Sequence, residues 1–117
     1  GHGHFTDVSD RSGVKAKLGK ALGVICVDLT GDDLVDIVVA NDAEPNFLWV
    51  NQGDGTFVED ASMRGMAVNG HGAPEASMGV TVGDIDQDGE YDLFMTHFRE
   101  QTNTLYRSGA GHLFFDH

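Results

Sequence analysis

Asp84, Asp86, Asp88 and Asp92 place four carboxylates within nine residues, with Gly89 at the sixth place and apolar runs on either side. Carboxylates at alternating positions converge when a chain turns sharply at a glycine, and each close pair then repels. Two unit charges about 4 Å apart repel by roughly 4 kcal/mol at an effective dielectric near 20. A small domain, whose whole stability is about 5–15 kcal/mol, cannot carry several such pairs without a counter-charge. A hard cation supplies one. Calcium takes about six to eight oxygen ligands, and a D-x-D-x-D-G opening offers side chains at places one, three and five of such a cage. Here these are Asp84, Asp86 and Asp88, with the backbone carbonyl of Glu90 at place seven and Asp92 closing the cage at place nine. Gly89 supplies the left-handed turn that folds the ligands inward. An EF-hand is excluded, because that loop needs flanking helices and a glutamate at place twelve, where Met95 stands. The competing account is a solvated hairpin turn, since Asp and Gly favour turns with or without an ion.

A second loop of the same phrasing runs from Asp28 to Asp36. Oxygen-bearing side chains again fall at places one, three, five and nine, as Asp28, Thr30, Asp32 and Asp36. Thr30 offers a neutral oxygen, and Asp33 takes the glycine place, where a left-handed backbone costs a non-glycine residue roughly 1 kcal/mol. Two calcium sites are therefore expected, with the 84–92 site the stronger.

Both loops must be held by something, and the chain around them repeats. Gly23-Val24-Ile25-Cys26-Val27-Asp28 aligns with Gly79-Val80-Thr81-Val82-Gly83-Asp84, and Asp36-Ile37-Val38-Val39 with Asp92-Leu93-Phe94-Met95. Asn46-Phe47-Leu48-Trp49 answers Asn103-Thr104-Leu105-Tyr106 further on. The apolar runs are short, rich in Val, Ile and aromatics, and bounded by Asp, Asn and Gly, which predicts strands. They fall near 22–28, 36–41, 47–51 and 56–60, then near 78–84, 91–97, 103–107 and 112–116. The first strands of each set are apolar on both faces, so both faces need cover. A four-stranded unit of about 50 residues flanked by copies of itself is a β-propeller blade. The fold class is all-β: two four-stranded antiparallel blades, over 9–60 and 61–117, with residues 1–8 forming the outer strand of a preceding blade. In the first linker Ser9 reads as the cap of a helical turn and Gly13 as its stop. Two blades do not close a ring, so the chain is expected to be a piece of a longer protein or a unit that several chains complete.

The 117 residues have a globular balance, 40% hydrophobic and 22% charged, with a formal net charge of −12. Such acidity argues against nucleic acid or an anionic membrane surface as partner, because both demand clustered Lys and Arg. Cys26 is the sole cysteine, so no internal disulfide forms; its apolar surroundings predict a small core residue. No stretch approaches the roughly 20 apolar residues of a membrane span. None of the common catalytic motifs is present, and His71, His97 and His112 lack any spacing that pairs them with another His or Cys. Phe5, Phe57, Trp49, Tyr106 and Phe114 recur at strand phases and are expected to pack between blades.

Taken together, Phe5-Thr6-Asp7-Val8-Ser9, the Asp84–Asp92 loop, Pro45-Asn46-Phe47-Leu48, Asn51-Gln52-Gly53-Asp54-Gly55-Thr56-Phe57 and Thr102-Asn103-Thr104-Leu105-Tyr106 resemble the FG-GAP/VCBS repeats. These occur in integrin α-subunit propellers and in cartilage-acidic-protein-like bacterial repeat proteins. The resemblance implies a calcium-binding propeller that is extracellular or periplasmic, non-enzymatic, and engaged in adhesion or protein interaction. It carries the ligand roles onto Asp84, Asp86, Asp88, Asp92 and the Glu90 carbonyl, and onto Asp28, Thr30, Asp32, Asp36 and the Leu34 carbonyl. A protein or glycan partner is expected. Two other functions fit the same residues: a carbohydrate-binding propeller, alone or within a polysaccharide-active enzyme, and a structural protein whose open strand edges join copies into a ring or fibre.

Overall fold

The structure, a computed structural model, describes residues 1–117. Strands β1 (Ala21–Val27), β2 (Asp36–Asn41), β3 (Phe47–Asn51) and β4 (Phe57–Glu59) form one antiparallel sheet in the order β1-β2-β3-β4. A second sheet repeats that order with β5 (Ser77–Gly83), β6 (Asp92–His97), β7 (Thr104–Gly109) and β8 (Leu113–Asp116). The likeness extends to register: Val24 lies opposite Val39 as Val80 lies opposite Met95, and a bulge interrupts both ladders, at Ala21/Gly23 and at Ser77/Gly79. β-Branched and aromatic residues at these positions suit a pleated surface packed on both sides.

The core lies between the two sheets. Val38 and Leu48, backed by Ile25, Val27 and Val50, meet Leu93, Met95, Tyr106 and Phe114, backed by Val80 and Val82. By the repeat alignment Val38 corresponds to Phe94, whose neighbour Leu93 is the residue that points into this core. Opposite faces of the two equivalent sheets therefore meet, and the stacking is head to tail. The linker after β4 closes the seam: Met66 and Ala67 are buried, Asn46 N donates to Ala67 O at 2.9 Å, and the Tyr106 hydroxyl donates to Val68 O at 3.0 Å.

Each sheet keeps one apolar face uncovered. Leu29 is 4% exposed in the seam, whereas its counterpart Ile85 is 56% exposed on the far side of the second sheet. Val24 is 64% exposed on the far side of the first, whereas its counterpart Val80 packs against the core. Cys26, expected in the core, is exposed, because it lies on that open face of β1.

Residues 1–8 form no strand, contrary to expectation. A strand is held by its ladder, and no strand of either sheet pairs with residues 1–8; Phe5 is accordingly 99% exposed rather than packed. The helical turn that follows, α1 (Ser9–Ser12), ends at Gly13 in the left-handed region (φ 86°) as expected. Ser9 is not its cap but its first residue, and Asp7 Oδ1 accepts the Ser9 N–H at 2.9 Å. The same device recurs unannounced after β4. There α2 (Ala61–Arg64) has its first N–H bound by Glu59 Oε1 at 2.8 Å and stops at Gly65 (φ 82°). A Cβ on Gly65 would sit 2.4 Å from the Phe114 carbonyl oxygen, so only glycine fits there. No helix is long and apolar enough to cross a membrane.

The seam and the open faces should respond differently to truncation. Leu93→Ala is expected to cost about 2–5 kcal/mol in urea unfolding. Ile85→Ala, at an equivalently apolar but uncovered position, should stay within about 0.5 kcal/mol. Equal losses would contradict the head-to-tail burial described here.

Candidate metal centre

The two acidic loops join the first strand of each sheet to the second, and their backbones are shaped by the same side-chain bonds. At place one, Asp84 accepts the N–H groups of Asp88 (3.1 Å) and Gly89 (3.0 Å). Asp28 accepts those of Thr30 (3.2 Å), Gly31 (2.8 Å), Asp32 (3.4 Å) and Asp33 (2.8 Å). At place five, Asp88 and Asp32 accept the N–H of Glu90 (2.9 Å) and Leu34 (3.0 Å) respectively. A short acidic side chain that bonds backbone two to five residues ahead curls the chain around itself.

Place nine does something else. Asp36 and Asp92 are 0% and 1% exposed. Asp92 Oδ2 accepts the Ile85 N–H and Oδ1 the Ser108 N–H, both at 2.9 Å. Asp36 takes the Leu29 N–H at 3.0 Å and the Asn51 N–H at 2.9 Å. Each carboxylate thus ties the start of its loop to the third strand of its sheet.

The left-handed turn expected at place six is present at Gly89 (φ 93°) and also at Asp33 (φ 65°). A second left-handed residue at place four, Gly31 (φ 71°) or Gln87 (φ 63°), was not anticipated.

Of the expected ligands, Asp84, Asp86 and Asp88 are brought together: one carboxylate oxygen from each lies within 4.8 Å of the others, and all three residues are exposed. Asp92 stands outside that group, with both oxygens engaged by backbone. Glu90 directs its carboxylate to His112 Nδ1 at 3.2 Å, away from the aspartates. In the first loop Asp28, Asp32 and Asp36 do not close into such a group. Thr30 Oγ1 is buried there with no hydrogen-bond partner. Leu34 lies over the β3–β4 turn, its Cδ1 3.3 Å from where a Cβ on Gly53 would be. Burial pushes the Asp28 carboxyl up, but the N–H groups of Asp33, Gly31, Asp32 and Thr30 outweigh it and hold the group below the usual carboxylate range.

An all-oxygen donor set of this kind suits a hard cation. The residues fit such an ion on two grounds: three carboxylates converge in the second loop, and an unpartnered hydroxyl oxygen is buried at place three of the first. Two residues that no motif flagged also border the loops. Arg107, on β7, sets its guanidinium against the Asp86 carboxylate. Its signal was a cation at a repeat position that Val50 fills in the first sheet. His112, which no spacing pairs with another His or Cys, lies between the loops, touching Glu90 in one and packing so closely on Gly31 in the other that a Cβ there would be 2.6 Å from its ring.

Comparison with known proteins bears on what these loops are. A family model described as "FG-GAP-like repeat" matches residues 28–95, more than half of the chain and both loops. Cartilage acidic protein 1 of Mus musculus is 35% identical over 88 residues, which is 74% of this chain and 13% of that protein. The Homo sapiens protein of that name is likewise 35% identical, over 74% of this chain and 12% of its own length. For Xenopus tropicalis the figures are 36%, 70% and 13%. The chain thus spans about an eighth of the curated relatives it matches. With a repeated four-stranded sheet and an acidic loop in each copy, it belongs to the FG-GAP-like repeat family.

Proposed function

We propose that this chain is a pair of propeller blades from an extracellular protein-interaction or adhesion protein, and that each acidic loop binds a structural calcium ion. The convergence of Asp84, Asp86 and Asp88 to within 4.8 Å carries the reading. Ligands come from Asp84, Asp86, Asp88, Asp92 and the Glu90 carbonyl in one loop. In the other they come from Asp28, Thr30, Asp32, Asp36 and the Leu34 carbonyl. The ion cancels repulsion that the backbone alone cannot, and it joins the first strand of each sheet to the second. Outside cells calcium is millimolar, so even a weak site stays filled.

The division into blades 9–60 and 61–117 belongs to the same proposal. Its support is the pair of open faces. Ile85 is exposed where Leu29 is buried, and Val24 is exposed where Val80 is packed, which is the pattern left when the next repeat on either side is missing. A further repeat, on a longer chain or on a second copy, covers each face. The self-assembling alternative rests on the same observation, and the mass in solution separates the two: a strict monomer removes the second copy.

Calcium at about 100 times its Kd adds about 2.7 kcal/mol to stability, about 10 °C in melting temperature for a domain of this size. Melting in calcium and in EDTA should therefore differ by about that much, and coincident curves with chelation verified would refute the structural role. Asp86→Asn should shrink the calcium increment. Asp92→Asn should cost about 1–3 kcal/mol even in EDTA, because it leaves a buried N–H without its acceptor.

Acid should act through Asp28. Its folded pKa lies below the unfolded value, so the unfolded chain binds more protons and stability rises with pH across that interval. The contribution is complete above the ordinary carboxylate value of about 3.9 and is lost as pH falls through the lowered one. Urea unfolding in EDTA should thus show a shallower loss between about pH 5 and pH 2 in Asp28→Asn than in the parent chain.

A further inference from the structure

We propose that Arg107 is a tethered competitor for the cation of the 84–92 loop: it neutralises Asp86 when no ion is present and must yield that carboxylate when one enters. This rests on reading the loop as a calcium site.

The geometry is specific. Arg107 projects from β7 and its Nη2 meets Asp86 Oδ2, both side chains being part-exposed. Its Nε is buried without a partner, so the guanidinium is held here by the one carboxylate rather than by a full set of acceptors. The next residue, Ser108, gives its N–H to Asp92 Oδ1 at 2.9 Å. Two consecutive β7 residues thus grip the loop, one by charge at place three and one by hydrogen bond at place nine.

Comparison with the other repeat isolates the charged half of that grip. Asn51 matches Ser108, and its N–H binds Asp36 Oδ1 in the same way. Val50 then matches Arg107, and Thr30 matches Asp86. The two positions differ together: Asp with Arg in the second repeat, Thr with Val in the first. Four carboxylates with one guanidinium and three carboxylates alone carry the same net ligand charge. The extra aspartate of the second loop therefore brings its own counter-ion. A divalent ion entering that loop finds a positive charge beside one of its ligands, and like charges at short range oppose each other. Arg107 accordingly lowers the affinity of the loop while stabilising its ion-free form, so that the protein tolerates low calcium without four unscreened carboxylates.

The test uses the 117-residue chain, with calcium itself as the probe. In EDTA, Asp86→Asn and Arg107→Gln should be non-additive in urea unfolding, and in saturating calcium that coupling should vanish. By calorimetric titration Arg107→Gln should tighten one of the two calcium sites by about two- to fivefold, the strength of a part-exposed ion pair. Arg107→Lys, which keeps the charge, should bind like the parent; Arg107→Met repeats the measurement if the glutamine variant is poorly folded. Additivity in EDTA, or calcium binding that Arg107→Gln leaves unchanged or weakens, overturns the competitor while leaving the calcium reading intact. Absence of any calcium heat in the parent and in every variant sinks both.

Discussion

Asp36 and Asp92 are the two buried carboxylates at the head of β2 and β6, and each takes its hydrogen bonds from backbone N–H groups. A buried charge is tolerated only when its lone pairs are met by donors. Here one donor comes from the opening of the acidic loop and the other from the third strand, so one side chain fixes three segments at once. Everything upstream in the loop inherits its position from that joint. With place two anchored, place one gathers the N–H groups of places five and six in both loops. Of the three converging carboxylates of the second loop, Asp84 and Asp88 also bind its backbone, and Asp86 alone makes no backbone bond in the loop.

This division explains why the loops can vary where they face solvent and yet keep their shape. The anchoring aspartate, its two N–H partners and the turn at place one are the same in both copies. Place three changes from Thr30 to Asp86, and the strand residue facing it changes from Val50 to Arg107. Shape is set by backbone-directed bonds from places one, five and nine, and the charge at place three varies without disturbing them.

Much of the architecture was legible because the repeat is written in strand-length runs with Asp and Gly between them. All eight paired strands fall within two residues of where alternation and turn residues put them. The failures have a common cause. Residues 1–8 and Phe5 were assigned by analogy with the later repeats and Cys26 from its apolar run, all to positions whose burial needs a neighbour, and sequence reports an apolar face without reporting what lies on it. α2 was missed although Phe57 to Gly65 parallels Phe5 to Gly13, because Ala61-Ser62-Met63-Arg64 carries no cap of its own; the cap is Glu59, inside the preceding strand. The clustering of Asp84, Asp86 and Asp88 was visible from spacing. Arg107 and His112 were not, since each reaches its loop from strands or turns 20 or so residues away, a distance no local motif spans.

The backbone also removes one reason for ranking the two loops. A left-handed Asp33 at the glycine place suggests a strained, weaker first site when that loop is considered alone. Both loops, however, need positive φ at places four and six, and each has one glycine to supply it: Gly31 beside Asp33, Gln87 beside Gly89. The cost of roughly 1 kcal/mol for a left-handed non-glycine residue therefore falls once on each loop. Gln87 is the worse case, since Asp adopts that conformation more readily. Conformational strain thus does not favour the second loop; what sets the two apart is the charge at place three, the guanidinium set against it and the convergence of carboxylates in the second loop alone.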